Sequence, residues 1–321
     1  MTPPPEAIVL ASRGSRLALR QAEIVRSQLL RAHPGIAVEV RSVTTAGDRD
    51  RRPFSAIAGK GLFVGEVERE VVEGRADLAV HSAKDLTAEL APGCALLCVP
   101  RRASAADVVV GGEGDRGEQR LASLPPGSTV GTSSMRRRVL LTETRPDLEV
   151  AELRGNLDTR LVKVGRGEVA AAIVAAAGLE RLGEDPLGGL LDPGRWVPAP
   201  AQGALAIEGL AQRDDLAELL RPLRDEAAER EVACERAFAA RLEGGCSVPL
   251  GCLARLTEDR LVVTGFLGEP SGGACLRDRT SGPPQRAEEL GRELADALLA
   301  AGGDEILLAV REAPAPEPSA P

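Results

Sequence analysis

Short apolar runs alternate along this chain with longer stretches whose apolar positions recur every three or four residues, the pattern of strands and helices in turn. Ile8–Ala11 predicts a buried strand, and the segment after it places Ala18, Ala22, Val25 and Leu29 on one helical face. Ile36–Val43 alternates as a strand does. A helix with Phe63, Val67 and Val71 inward and a strand at Asp77–Val80 follow. Strands are predicted at 96–99, 107–110, 128–131, 148–153 and 169–174, the last a near-continuous apolar run typical of a strand buried on both faces. Helices open at Met135 and at Ala176. Further on come a strand at 205–207, a helix at 216–223 and a helix with Cys234, Phe238 and Leu242 on one stripe. Strands at 252–256 and 261–267, a helix carrying Leu290, Leu294 and Leu298, and a closing segment at 305–310 complete the pattern. Pro100-Arg101-Arg102 and the rigid W-V-P-A-P-A-Q-G at 196–203 read as two crossings between lobes. The polar, Gly-containing segment 44–61 is long enough to be a functional or mobile loop. Residues 111–117 read as a flexible surface loop, and 312–321 as a disordered Pro/Ala tail.

Length and composition sharpen this only in places. At 321 residues the chain suits two or three domains. Hydrophobic residues make up 43% but aromatics only 2%, with no Tyr, so the cores must be built from Leu, Val, Ala and Ile. A net charge of -8 argues against a general nucleic-acid binder while leaving room for local basic pockets. Cys occurs at 94, 98, 234, 246, 252 and 275 without a C-x-x-C, and His33 and His81 are the only histidines, so no zinc-site spacing is present. The Pro-rich start, Met1–Glu6, has no basic region followed by an apolar run, and no run reaches membrane-spanning length. A cytosolic protein with reduced thiols is expected.

Four stretches carry candidate chemistry. Ser12-Arg13-Gly14-Ser15 leads into the first helix with Ser15 as a plausible N-cap. Arginines at 13 and 16 beside the positive end of a helix cost a few tenths of a kcal/mol, roughly, unless an anion sits there. Thr132-Ser133-Ser134 followed by Met135-Arg136-Arg137-Arg138 repeats that design. Consecutive helical residues point about 100° apart, so Arg136 and Arg137 are the candidates to face a ligand, with Arg138 turned outward. His81-Ser82-Ala83-Lys84-Asp85 ends a strand, where ligands of open α/β sheets gather. Its Lys-Asp pair suits proton handling, although alone it would read as a turn with a capping Asp. Lastly, in L-E-G-G-C-S-V-P-L-G at 242–251, Gly244 and Gly245 stop a helix and present Cys246 on a short loop before a strand. Spacing alone favours a packing role for that Cys.

Taken together, these segments resemble porphobilinogen deaminase. The resemblance runs from about Ile8 to Val310 through S-R-G-S-R-L-A-L-R-Q (12–21), K-G-L-F (60–63), H-S-A-K-D (81–85) and G-T-S-S-M-R-R-R (131–138). It continues in R-G-N-L-D-T-R-L (154–161), A-A-G-L-E-R-L-G (176–183), P-A-Q-G (200–203) and L-E-G-G-C-S-V-P (242–249). It implies an α/β protein with two periplasmic-binding-protein-like lobes of mixed sheets and a smaller C-terminal α/β domain. The expected divisions are 1–102 with 203–223, 103–202, and 224–311. The implied activity joins four porphobilinogen molecules head to tail, releasing ammonia and giving hydroxymethylbilane. The implied cofactor is a dipyrromethane bound through a thioether to Cys246. By the same resemblance Asp85 is the catalytic acid, opposite an electron-poor azafulvenium-like cation. Lys84, Arg13, Ser15, Ser82, Thr132, Ser133, Ser134, Arg136, Arg137, Arg160 and Gln202 hold the cofactor. Arg13, Lys60, Phe63, Arg154 and Arg181 meet the substrate, while Asp158 and His81 read as structural. No metal, nucleic acid or membrane is implied, and the family is usually monomeric. Two positions depart from its pattern: Arg16 and Thr87 stand where Pro is usual. Two other readings fit parts of the sequence. A non-enzymatic two-lobed binder of a small anion leaves Asp85 and the glycine-presented Cys unexplained, and a Cys246/His81 thiol hydrolase has no local signature.

Overall fold

The computed structural model describes residues 5–45, 64–184, 188–244 and 248–312. Lys60, Phe63, Cys246, most of the 44–61 loop and the tail from 313 lie outside them. The described residues form two compact units. One comprises the chain up to Ala103 together with Gly203–Val232; the other comprises Ser104–Gln202 and the chain from Ala233.

The first unit is a five-stranded mixed sheet. Strands β1 (Ala7–Arg13), β2 (Ala37–Val43) and β3 (Leu78–Ser82) run parallel, and β4 (Cys94–Cys98) lies at the far edge. The β1–β2 connection is helix α1 (Arg16–Ala32), which buries Ala18, Gln21, Ala22, Val25 and Leu29, one face of a 3.6-residue repeat. That face covers Ile8, Leu10, Leu78 and Val80. Helix α2 (Gly65–Val72) covers the opposite face, packing Val67 and Val71 on Ala11 and Ala79.

The second unit holds another five-stranded sheet, built from β5 (Asp107–Gly111), β6 (Thr129–Gly131), β7 (Glu149–Ala151), β8 (Ala171–Ala175) and β9 (Gly188–Leu190). Helices α3 (Gly117–Ser123), α4 (Met135–Thr144), α5 (Leu157–Gly165) and α6 (Ala176–Leu182) connect it. Returning to the first sheet, β10 (Leu205–Leu210) inserts antiparallel between β3 and β4, ahead of α7 (Asp214–Leu220). The orders are β2-β1-β3-β10-β4 and β7-β6-β8-β5-β9. These are one topology used twice: three parallel strands with the first in the centre, then an antiparallel strand, then an edge. In both sheets the antiparallel strand is the first one after a crossing segment, β5 after 100–104 and β10 after 200–203.

A smaller antiparallel sheet follows α8 (Glu226–Arg241): β11 (Leu250–Thr257), β12 (Arg260–Gly268) and β13 (Cys275–Gly282). Helices α9 (Ala287–Leu298) and α10 (Asp304–Glu312) complete it, around a core that includes Cys234, Phe238, Leu242, Cys252, Leu290, Leu294 and Leu298. The expected α/β class, with two mixed sheets and a smaller C-terminal part, is therefore present. No helix among the described residues is long and apolar enough to cross a membrane.

Three local features go beyond the expectations. β13 has no apolar alternation to announce it: it is an edge strand whose Arg277, Asp278 and Arg279 are exposed, a composition that discourages pairing with other chains. The segment 305–310 belongs to helix α10. At the end of α8 the left-handed residue is Glu243, at φ 50°, and not a glycine. Gly244 is required for another reason, since a Cβ there would drive into the Leu250 side chain.

In the C-terminal part, α9 comes close to α8 at Gly291. A Cβ on it would overlap the Cys234 carbonyl oxygen and sit 3.0 Å from Phe238 N, so α9 rests directly on the backbone of α8. Gly291→Ala should lower stability by about 1–3 kcal/mol through overpacking, although Ala is the better helix former. Urea denaturation checks this: a lower midpoint is expected, and an unchanged or higher one would show that the helices separate freely.

Candidate active site

In the first unit, the functional candidates cluster because β1 and β3 are adjacent and parallel, which brings their carboxyl ends to the same edge. Arg13 is the last residue of β1, half-buried. Ser15 caps α1, its side chain accepting from Ala18 N at 3.3 Å. Arg16 is the first helical residue, a position whose N–H has no intrahelical partner in any helix, so an Arg there leaves the start of α1 intact. At the end of β3, Ser82 Oγ lies 2.9 Å from Nε2 of the buried Gln21 carboxamide. A single tight turn, Ala83–Asp85, follows, with Ala83 N–H donating to Ala204 O at 3.1 Å. It leaves Lys84 exposed and Asp85 half-buried. Thr87 Oγ1, where a Pro is usual, donates to Glu89 O and closes the next turn from its side chain.

The second unit repeats the arrangement at the carboxyl ends of β6, β7 and β8. Thr132 is buried and its N–H donates to Ala151 O. Ser133 Oγ donates to Leu153 O, and Ser134 caps α4 by accepting from Arg137 N. The next residues depart from a simple anion cradle. Arg136 and Arg137 are 3% and 5% exposed and share one buried carboxylate, Asp107. Arg136 Nη1 reaches Asp107 Oδ2 at 2.7 Å and Val197 O at 2.8 Å. Arg137 gives Nε and Nη2 to Asp107 Oδ1 at 3.0 and 2.8 Å, and Nη1 to Ile173 O at 3.0 Å. Gln202 locks the set: Nε2 donates to Asp107 Oδ1 and to Ala105 O, and Oε1 accepts from Arg137 Nη2. Arg138 is less buried than either neighbour, as expected.

Two guanidiniums on one carboxylate leave an excess positive charge. Burial would raise Asp107, but Arg136 and Arg137 overcome it and hold the carboxyl well below the usual range. Arg137 is pulled below its ordinary value by burial and by Arg136, against Asp107. Arg160, on α5, is pushed down to about 10 by burial and by the charge on Arg137. Its Nε donates to Gly155 O at 2.9 Å, and no carboxylate among the described residues pairs with it. Arg181, on α6, is likewise pushed down to about 10 by burial, against Glu180. Arg154 follows β7 with Nε on Glu152 at 3.0 Å. An arginine held near 10 is still charged at neutral pH. Nε of Arg136 is buried without a partner among the described residues.

Asp107 was not singled out from the sequence, where it only opens D-V-V-V-G. The signal was there in general form: an acid heading a fully buried run needs a buried cation. His81, read as structural, is buried with Nε2 3.2 Å from Glu208 Oε2. Burial pushes the thiols of Cys94, Cys98 and Cys234 up to about 12 and raises that of Cys275, so none of these is suited to act as a thiolate. The described residues nearest Cys246 along the chain are the end of α8, followed by a fully buried Leu242, and the start of β11.

Comparison with known proteins points to one family. A profile described as porphobilinogen deaminase, dipyromethane cofactor binding domain, matches residues 8–218, and one described as its C-terminal domain matches 229–300. A porphobilinogen deaminase of Roseiflexus castenholzii is 46% identical over 94% of this chain and 98% of its own length. That of Paraburkholderia phymatum is 45% identical over 99% of this chain and 97% of its own. Among solved structures, the periplasmic VFT2 domain of Bordetella pertussis BvgS aligns over 68% of this chain and 86% of its own, at 16% identity and a TM-score of 0.39. The chain belongs to the porphobilinogen deaminase family.

Proposed function

We propose that this chain is an active porphobilinogen deaminase, or hydroxymethylbilane synthase, joining four porphobilinogen molecules head to tail with release of ammonia. It is a transferase of tetrapyrrole synthesis, and the domain spanning 8–218 is named for the dipyrromethane cofactor the family uses. The observation that carries the reading is the positive charge of the buried Arg136 and Arg137 with the half-buried Arg160 beside them, for which the described residues supply one carboxylate, Asp107.

The donor set fits such a cofactor. A dipyrromethane carries several carboxylates, and guanidinium groups bind them in bidentate fashion without losing their charge. Arg136, with an unpartnered buried Nε, Arg137 and Arg160 would hold them in the second unit, with Thr132, Ser133 and Ser134 beside them. Gln202 acts through Arg137, since its amide is engaged by Asp107, Ala105 and Arg137. Arg13, Ser15, Ser82 and Lys84 would serve in the first unit. When bound, the cofactor supplies the primer to which pyrrole units are added.

The chain's own groups then divide the work. Arg154 and Arg181, with Lys60, orient the carboxylates of the incoming substrate, and Phe63 borders it. Asp85 opposes the positive charge that develops as ammonia leaves and takes up the pyrrole proton on a carboxylate oxygen. Cys246 anchors through a thioether, a bond stable enough to survive repeated turnover. The finer reading is a cytoplasmic monomer of three domains, divided near 102/103, 202/203 and 223/224.

Two outcomes test this. Intact-mass measurement of the purified protein should show a covalent addition of two pyrrole units that is absent from Cys246→Ser; an unmodified protein with full turnover would contradict it. In the Cys246→Ser background, Arg160→Met should raise the melting temperature by about 1–3 °C, because it removes a cation pressed against another. In the otherwise native enzyme the same change should lower turnover by roughly tenfold or more. A variant that is both less stable and fully active would mean Arg160 has a packing role only.

A further inference from the structure

A second buried set of ionisable groups lies in the first unit and has no part in the chemistry above. His81 pairs with Ala206 across β3 and β10, and Glu208 with Ala79, so both side chains occupy one face of the sheet, two positions apart. Their contact is 3.2 Å, and Glu208 is fully buried. Helix α2 packs on that face and adds Glu68, only 8% exposed, which is coupled electrostatically to both Glu208 and His81. Cys94 of β4 completes the set, its thiol raised by burial and then by Glu208. The apolar residues of this face include Ala11, Val67, Val71, Ala76 and Ala79, and its charged ones include Glu39 and Arg41 of β2, in register with Val9 and Ala11, and Glu70 of α2, 3.7 Å from Arg41.

Two carboxyls and one imidazole in such a place are costly, and apolar side chains of similar size would often be at least as stable. Their placement accounts for their presence. His81 precedes Asp85 by four residues on the same strand and turn. Glu68 Oε1 accepts the N–H of Ala91, six residues beyond Asp85, at 3.2 Å. The turn bearing Asp85 is thus tied on both sides to one buried cluster.

We propose that Glu68 is a positioning residue for Asp85: its carboxyl, seated against the His81–Glu208 pair, holds the Ala91 N–H and fixes the far side of the Asp85 turn. This rests on the reading of Asp85 as the catalytic acid. Glu68 needs its acceptor oxygen for the task, not its charge. Burial and Glu208 raise Glu68 above the usual carboxylate range, with Ala91 N–H and His81 opposing. A raised carboxyl contributes most below the ordinary carboxylate pKa, and that contribution is lost as pH rises through its folded value. Glutamine keeps the oxygen and removes the penalty.

The test uses cofactor-loaded enzyme, with loading checked by intact mass. Glu68→Met, which fills the space without an acceptor, should lower kcat roughly tenfold with KM within about twofold and loading complete. Glu68→Gln should keep kcat within about twofold of the parent, and its melting temperature should exceed the parent's at pH 8 by a margin that shrinks towards pH 5. Unchanged kcat in Glu68→Met, or equal impairment in Glu68→Gln, would overturn the proposal. Failure of Glu68→Met to load would likewise count against it, as the mark of a purely structural residue. Asp85→Ala run alongside separates the two readings. If it retains turnover, the assignment of Asp85 is wrong; if it is inactive while Glu68→Met is normal, only the positioning role fails.

Discussion

One carboxylate in two guanidinium forks organises the second unit. Asp107 begins an apolar strand, is wholly buried, and meets Arg136 and Arg137 at 2.7 and 2.8 Å. A lone buried acid would be expensive, and so would two buried arginines. Each resolves the other's problem only in part, because the sum is positive. Arg160 adds to the surplus. Such a local surplus of positive charge, in a protein with a net charge of -8, is what the proposed binding of an anionic cofactor there requires. The fold supplies the means: α4 starts on a serine cap directly after β6, and antiparallel β5 brings Asp107 to the same edge, opposite Ala175.

Much of this was legible in the sequence, and the limits have physical causes. The two strand–hydroxyl turn–helix openings could be read because a cap and its helix lie within a few residues of each other, as Ser15 and Ser134 do. Which cation meets which acid could not be read, since Asp107 and its arginines are about thirty positions apart and only tertiary packing joins them. Gln202 stood in a recognisable P-A-Q-G, yet its role as the brace of Arg137 depends on Ala105, on the other crossing segment. β13 was missed because a charged edge strand carries no apolar alternation. Of the two glycines expected to stop α8, Gly244 gives clearance from Leu250, while the left-handed residue at the helix end is Glu243. His81 was read as structural; it is buried beside Glu208 on the strand that ends at Ser82, just before the Asp85 turn.

The two sheets share a plan that explains why charged side chains gather where they do. Parallel strands deliver their carboxyl ends, and with them helix starts, to one edge of each sheet. The antiparallel strand that enters after each crossing brings a buried acid into each sheet: Asp107 on β5 and Glu208 on β10. The first holds Arg136 and Arg137, which the proposed function assigns to carboxylate binding. The second lies 3.2 Å from His81, on the strand that leads to the Asp85 turn. Repetition of a topology has thus carried a repeated feature, a buried acid beside residues proposed to serve the site.

The central claim, that Asp107 holds the arginine pair in place, is most directly tested by the stability of Asp107→Asn in the Cys246→Ser background, free of the covalent group. Removing the shared carboxylate should leave two buried cations uncompensated and cost about 3 kcal/mol or more, read as a urea midpoint lower by roughly 1 M. An unchanged midpoint would contradict the account, because the arginines would then be held without it.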